Sequence, residues 1–228
     1  MSNNIIETIN QWLSDHPQSH TYINAKELAE FLGFVIVPYE KKSKGITIEG
    51  VNFIFYNEKE RLERQHYSIA HELLERHLIN ENLDQLKLGK ITKEELHKIA
   101  NDYTRYILLP ENSFEKNAMK LNYNLFSLKE IFITASHELI ARRLLDTGNF
   151  IITIIDNNNI YLRKAATISI PQNLTALEKK AYELALTTNQ YYYIEDYLDD
   201  TKQTFLKIHS YPIIEKEFKR VILIGEIE

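Results

Sequence analysis

The chain has no cysteine among its 228 residues, which excludes disulfides, thiolate metal sites and a cysteine nucleophile. Any metal must therefore sit on His, Asp or Glu. No apolar run comes near the roughly 20 residues needed to span a bilayer. The stretch from Met1 to Asn10 lacks a basic region followed by an apolar core. A cytoplasmic protein with no membrane partner is the expectation. Positive charge is also in deficit, with 27 Lys and Arg against 32 Asp and Glu and a net charge of -5. That balance argues against broad, sequence-independent nucleic-acid binding, and direct nucleic-acid partners are not expected. Internal repeats and low-complexity tracts are lacking too. What is present is an ordinary globular composition, 44% hydrophobic and 26% charged, long enough for one sizeable core or a main domain with a small appendage.

The most informative stretch is Tyr67-Ser68-Ile69-Ala70-His71-Glu72-Leu73-Leu74-Glu75. It matches the zinc-peptidase pattern His-Glu-x-x-His except that Glu75 stands where the second imidazole belongs. Residues i and i+4 differ by about 40° around a helix, so Glu75 lies over His71, whereas His77 points about 120° away. Glu75 is thus the better ligand candidate, and Glu72 is the candidate general base.

Around this motif the chain divides into recognisable elements. Ile5 to Leu13 has helical apolar spacing, and Asn24 is placed to cap a helix from Ala25 to Phe31 that Gly33 ends. Residues 34–37 and 45–56 alternate and are rich in β-branched and aromatic side chains, which predicts a small antiparallel sheet with a turn near Gly50. Residues 60–78 read as the helix that carries His71. Thr92 and Glu95 form a capping-box pair for the next helix, and Leu109-Pro110 stops it about five turns later. Leu125 to Leu145 reads as two short helices broken near Thr134-Ala135-Ser136. Phe150 to Ile155 and Ile160 to Arg163 flank an Asp-Asn-Asn-Asn turn, a predicted hairpin. A helix over Leu174 to Thr187, a Tyr-rich segment at Tyr191 to Tyr197 and strand-like runs at Thr204 to His209 and Lys219 to Ile227 complete the chain, with a domain boundary placed near Gly148.

Three stretches, in order, resemble the ImmA/IrrE-type metallopeptidases. Arg64 to Leu73 is similar to that family's Arg-x-x-Phe-Thr-x-Ala-His-Glu-Leu run. Ala100-Asn101-Asp102-Tyr103 with Ile107-Leu108-Leu109-Pro110 resembles its Ala-Asn segment ending in Leu-Leu-Met-Pro. Ser136 to Leu144 resembles its Ser-x-x-x-Val-x-x-Arg-Leu helix. The resemblance spans about Tyr22 to Gly148 and implies a zincin-like helical domain with a small antiparallel sheet over 1–148, with a helix-turn-helix-like segment over 125–148; the residues beyond lie outside it and read as a smaller α+β C-terminal region over 149–228, an α+β protein as a whole. It also implies a zinc endopeptidase that cleaves helix-turn-helix repressors to release phage, mobile-element or stress genes. By the same resemblance the metal ligands map onto His71, Glu75 and His97, and the catalytic glutamate onto Glu72. The family order His, His, Glu becomes His, Glu, His, which leaves the total charge of the ligand set unchanged.

Other readings stand beside this one. Glu75 also reads as a solvated residue left after metal binding was lost, and His97 as a surface histidine in Glu94-Glu95-Leu96-His97-Lys98. Glu94, one turn before His97, is an alternative carboxylate donor. His66, His77 and His137 read as surface or partly packed residues rather than ligands, and the tyrosines near Tyr191 as core or partner surface. The alternative function is a metal-free pseudopeptidase that acts as a protein-binding antirepressor or adaptor. A DNA-binding regulator working through Leu128 to Leu144 is disfavoured, because Glu138 would meet phosphates.

Overall fold

The computed structural model describes residues 2–17, 21–82, 84–85, 89–197, 205–214 and 218–227. The protein is α+β, as expected, and its chain forms two compact units, residues 1–121 with 127–136 and residues 122–126 with 137–228. Among the described residues no helix is long and apolar enough to cross a membrane.

The first unit opens with α1 (Ser2–Asp15) and α2 (Ala25–Phe31). The Asn24 side chain accepts a hydrogen bond from Lys26 N, and Gly33, at φ +83°, turns the chain out of the helix in a conformation that disfavours a Cβ. Three strands follow, β1 (Val35–Tyr39), β2 (Lys44–Ile48) and β3 (Val51–Asn57). β2 and β3 form the expected antiparallel hairpin, closed by Glu49 and Gly50 with both φ values positive, the geometry that matches strand twist in a two-residue turn. The sheet is not antiparallel throughout. β1 adds to the far side of β3 in parallel, giving the order β1-β3-β2, so β2 is an edge strand. Alternation alone specifies the faces of a strand and not the direction of its neighbour.

α3 (Leu62–Glu81) packs against this sheet and against α4 (Lys93–Leu108), which carries the predicted capping box between Thr92 and Glu95. His66 on α3 is buried, and its Nδ1 accepts the Ala25 N–H at 3.1 Å, so it serves as a polar tie to the first turn of α2. α5 (Glu111–Lys120) follows directly after Pro110.

α6 (Leu125–Ile131) and α7 (His137–Leu144) are the two expected short helices. The compact units part within residues 121–137 rather than at Gly148. α7 belongs with the second unit because it packs on β4 and β8, and the segment expected as one helix-turn-helix-like piece is shared between the two units. The second unit is a five-stranded antiparallel sheet of order β5-β4-β8-β7-β6, built from β4 (Phe150–Asp156), β5 (Asn159–Ala165), β6 (Tyr192–Tyr197), β7 (Phe205–Ile214) and β8 (Lys219–Ile227). Asn157 and Asn158 make its first turn with positive φ. β7 continues past the predicted end at His209. Pro212 is tolerated because β6 pairs with β7 only as far as Ser210, so the missing N–H falls where just one neighbour remains.

α8 (Ala176–Thr188) lays Ala181 and Ala185 on the face formed by Ile151, Ile155, Leu206, Ile208, Val221 and Leu223. A buried ion pair joins this helix to the sheet. The Arg163 guanidinium donates to both oxygens of Glu178 at 2.5 and 2.9 Å, and also to Thr153 Oγ1. Glu178 in addition completes a capping box with Thr175.

Two outcomes are expected. Removing one partner of the Arg163–Glu178 pair leaves an uncompensated buried charge, so Glu178→Ala is expected to cost about 3 kcal/mol in urea unfolding. Burial, reinforced by the Lys26 charge, depresses the pKa of His66 to about 4. The unfolded chain therefore binds the extra proton first, and stability contributed by neutral His66 is lost as pH falls from about 6.5 towards 4. His66→Gln is expected to flatten the stability profile in that window, as read by denaturant unfolding at successive pH values.

Candidate metal centre

The packing of α3 on α4 determines where the titratable side chains meet. α3 buries Ile69, Ala70, Leu73, Leu74 and Leu78, and α4 buries Leu96, Ala100, Thr104 and Ile107. With those apolar stripes turned inward, His71 and Glu75 lie one turn apart on α3, and His97 follows Leu96 on α4. Their donor atoms converge. His71 Nε2 is 3.1 Å from Glu75 Oε2 and 3.2 Å from His97 Nδ1, and His97 Nδ1 is 2.8 Å from Glu75 Oε2. Among the described residues these three form the group of His, Asp and Glu donors able to hold a metal ion.

The donor set fits a small divalent cation. Bonds of about 2.0–2.2 Å to N and O in a tetrahedron imply donor-to-donor separations of about 3.3 Å, close to the spacing found. Hydrogen bonding alone satisfies the triangle less well. One Glu75 oxygen would take both imidazole N–H groups, and the two ring nitrogens would then face each other at 3.2 Å with protons on both. A cation lets all three atoms direct lone pairs to a common point. Two neutral imidazoles and one carboxylate form a set suited to Zn²⁺.

The site is closed on one side and open on the other. Side-chain exposure rises from 7% at His71 through 18% at Glu75 to 52% at His97. Burial is the main reason that His71 is held neutral at lower pH than a free imidazole, opposed by the Glu75 charge and assisted by His97. Neutral imidazole is the form that ligates metal.

Glu72 lies beside the triad. Burial raises its pKa above the usual carboxylate range, the Gly45 N–H acts in the opposite direction, and the Glu75 charge adds to the rise. Glu72 Oε2 accepts that Gly45 N–H at 2.5 Å, which ties the carboxylate to edge strand β2. A methyl group at Gly45 would stand 2.6 Å from Arg76 Cγ and 3.2 Å from Glu72 Oε2, so the absence of a side chain allows the close approach. Gly45 and Arg76 were not predicted from the sequence. The available signal was a glycine inside a strand pattern, which marks close backbone approach.

The remaining candidates lie apart from the triad. Glu94 is exposed and is not among the converging donors. His66 is the buried tie to α2, His77 meets the edge of Trp12, and His137 meets the edge of Phe126.

No family model and no curated protein sequence matches this chain. A solved structure titled as a transcriptional regulator from Mycobacterium tuberculosis is similar over 98% of this chain and 76% of its own, with a TM-score of 0.70 and 13% identity. At that identity the likeness concerns fold alone. A domain of a putative light and redox sensing histidine kinase from Haloarcula marismortui aligns with 38% of this chain and 95% of its own at 17% identity, but its TM-score of 0.28 supports no argument.

Protein purified without a histidine tag, loaded with zinc and desalted, is expected to retain about one equivalent by elemental analysis. His71→Ala and His97→Ala are each expected to weaken binding beyond the roughly 10- to 100-fold typical of losing an outer-shell partner. Equal metal in all three proteins would contradict the site.

Proposed function

We propose that the protein is a metal-dependent endopeptidase of the ImmA/IrrE type that acts in the cytoplasm on a protein regulator, a helix-turn-helix repressor. The observation that supports this most is the convergence of His71, Glu75 and His97 with Glu72 next in sequence to the buried ligand. Zn²⁺ in such a site polarises a peptide carbonyl and makes water acidic enough to attack near neutral pH.

The chain's own groups suit the remaining tasks. The Gly45 N–H fixes one oxygen of Glu72, leaving the other to take a proton from the attacking water and pass it to the leaving amine. Burial raises the proton affinity of Glu72, which favours that exchange near neutral pH. β2 supplies a place for the substrate backbone. Its Gly45 N–H points away from β3 and is taken by Glu72, and in an antiparallel ladder Thr47 shares that orientation, so the edge beyond Gly45 can pair with an extended peptide. Direct DNA binding through α7 is disfavoured, because its arginines already have acidic partners, Arg142 with Glu138 and Arg143 with Asp146.

One observation favours the second reading, a metal-free antirepressor or adaptor. His71 Nδ1 is buried without a hydrogen-bond partner, whereas zinc-bound imidazoles usually donate this proton to an acceptor. Glu72→Gln separates the two. The peptidase is expected to lose about 10²- to 10⁴-fold in cleavage rate while keeping its metal. An adaptor cleaves nothing before or after the change, and chelators leave its partner binding intact.

A further inference from the structure

The chain beside the triad carries a local cluster of positive charge, although the protein's net charge is -5. Lys41 and Lys42 in the turn after β1 and Lys44, the first residue of β2, fall within four residues, and all three are exposed. None makes an ion pair among the described residues. Gly45, the residue after Lys44, is tied to Glu72, so this basic turn is anchored beside the proposed base rather than free to lie elsewhere. Lys44 sits over the rings of Tyr39 and Phe55 at 5.5 and 5.4 Å, which holds its ammonium at the start of the edge strand. A fourth cation, Arg76, lies across Gly45 with its Nε buried and lacking a hydrogen-bond partner.

Three exposed lysines with no ion pair among the described residues, gathered with Arg76 at one end of an edge strand, define a preference. We infer, on the basis of the peptidase reading above, that the site selects extended peptides bearing carboxylates at the end of β2 nearest Lys42, Lys44 and Arg76. A peptide paired with β2 projects alternate side chains to the two faces of the sheet. One set then falls beside Lys44, on the face that also carries Ile46 and Ile48. The other falls on the Gly45 face, beside Arg76 and the triad. Against a net charge of -5, an acidic segment is repelled by most of the surface and attracted at this point, which orients it as it docks. The carboxylate can be an acidic side chain or the peptide's own C-terminus.

The test uses the full chain as the zinc-loaded Glu72→Gln variant, so that binding is read without cleavage. The probes are fluorescein-labelled ten-residue peptides in matched pairs, Asp and Glu against Asn and Gln, each with a free or an amidated C-terminus. Anisotropy is expected to show the acidic peptides binding about tenfold more tightly than their amide counterparts, an advantage that shrinks as salt rises. Lys42→Glu and Lys44→Glu, both at exposed positions, are expected to abolish or reverse that preference while leaving zinc content unchanged. Insensitivity to amidation assigns the contact to side chains, and loss on amidation assigns it to the C-terminus. Equal binding of acidic and amide peptides, or a preference unaffected by the lysine substitutions, would overturn the inference. Failure of the peptidase reading shows separately, as no cleavage of any peptide by the zinc-loaded wild type while the binding preference persists.

Discussion

α3 and α4 pack along one another, with Leu73 and Leu74 on one helix and Leu96 and Ala100 on the other wholly shielded from water. Each buried leucine contributes on the order of 2 kcal/mol, so the apposition rests on apolar contact and not on any bound ion. That contact sets the separation of His71 and Glu75 from His97. The donors are therefore positioned by this packing, unlike the ligands of small domains that fold only around their metal. A side chain on either helix that disturbed this packing would move a ligand, even without touching one.

The proposed permuted ligand order is compatible with the same geometry. In the proposed site a carboxylate on α3 and an imidazole on α4 would give a cation the same net charge as the ligand set of the peptidases the sequence resembles, with Glu75 and His97 exchanging roles across the helix interface. The exchange has a consequence for access. The exposed member of the triad is now an imidazole, and the carboxylate lies between the two histidines with both within 3.1 Å of its Oε2. Around it, Glu72 is half-buried and tied to an edge strand, and exposed lysines sit beyond.

Local chemistry was legible in the sequence, and long-range approach was not. The Thr92–Glu95 capping box, the turn at Gly50 and the break near Ser136 depend on residues a few positions apart, and each was readable from side-chain type. The pairing of Glu75 over His71 followed from helix periodicity. His97 is different, because nothing local marks it as a ligand. It was reached through the order of the resembling segments, since the packing of α3 on α4 is set by many weak contacts that no short pattern encodes. The parallel addition of β1, the extension of β7 through Pro212 and the approach of Gly45 to Glu72 were missed for the same reason. The Thr175–Glu178 capping box was overlooked although local, and Glu178 has a second role in the buried pair with Arg163.

The central claim is that one cation is held jointly by two imidazoles and one carboxylate from these two helices. X-ray absorption at the zinc edge of the loaded protein tests it most directly. The account predicts a first shell of N and O at about 2.0–2.2 Å, with the outer-shell scattering of two imidazole rings falling to one in His97→Ala. A shell of oxygen alone, or an identical two-ring signal after that substitution, would contradict it.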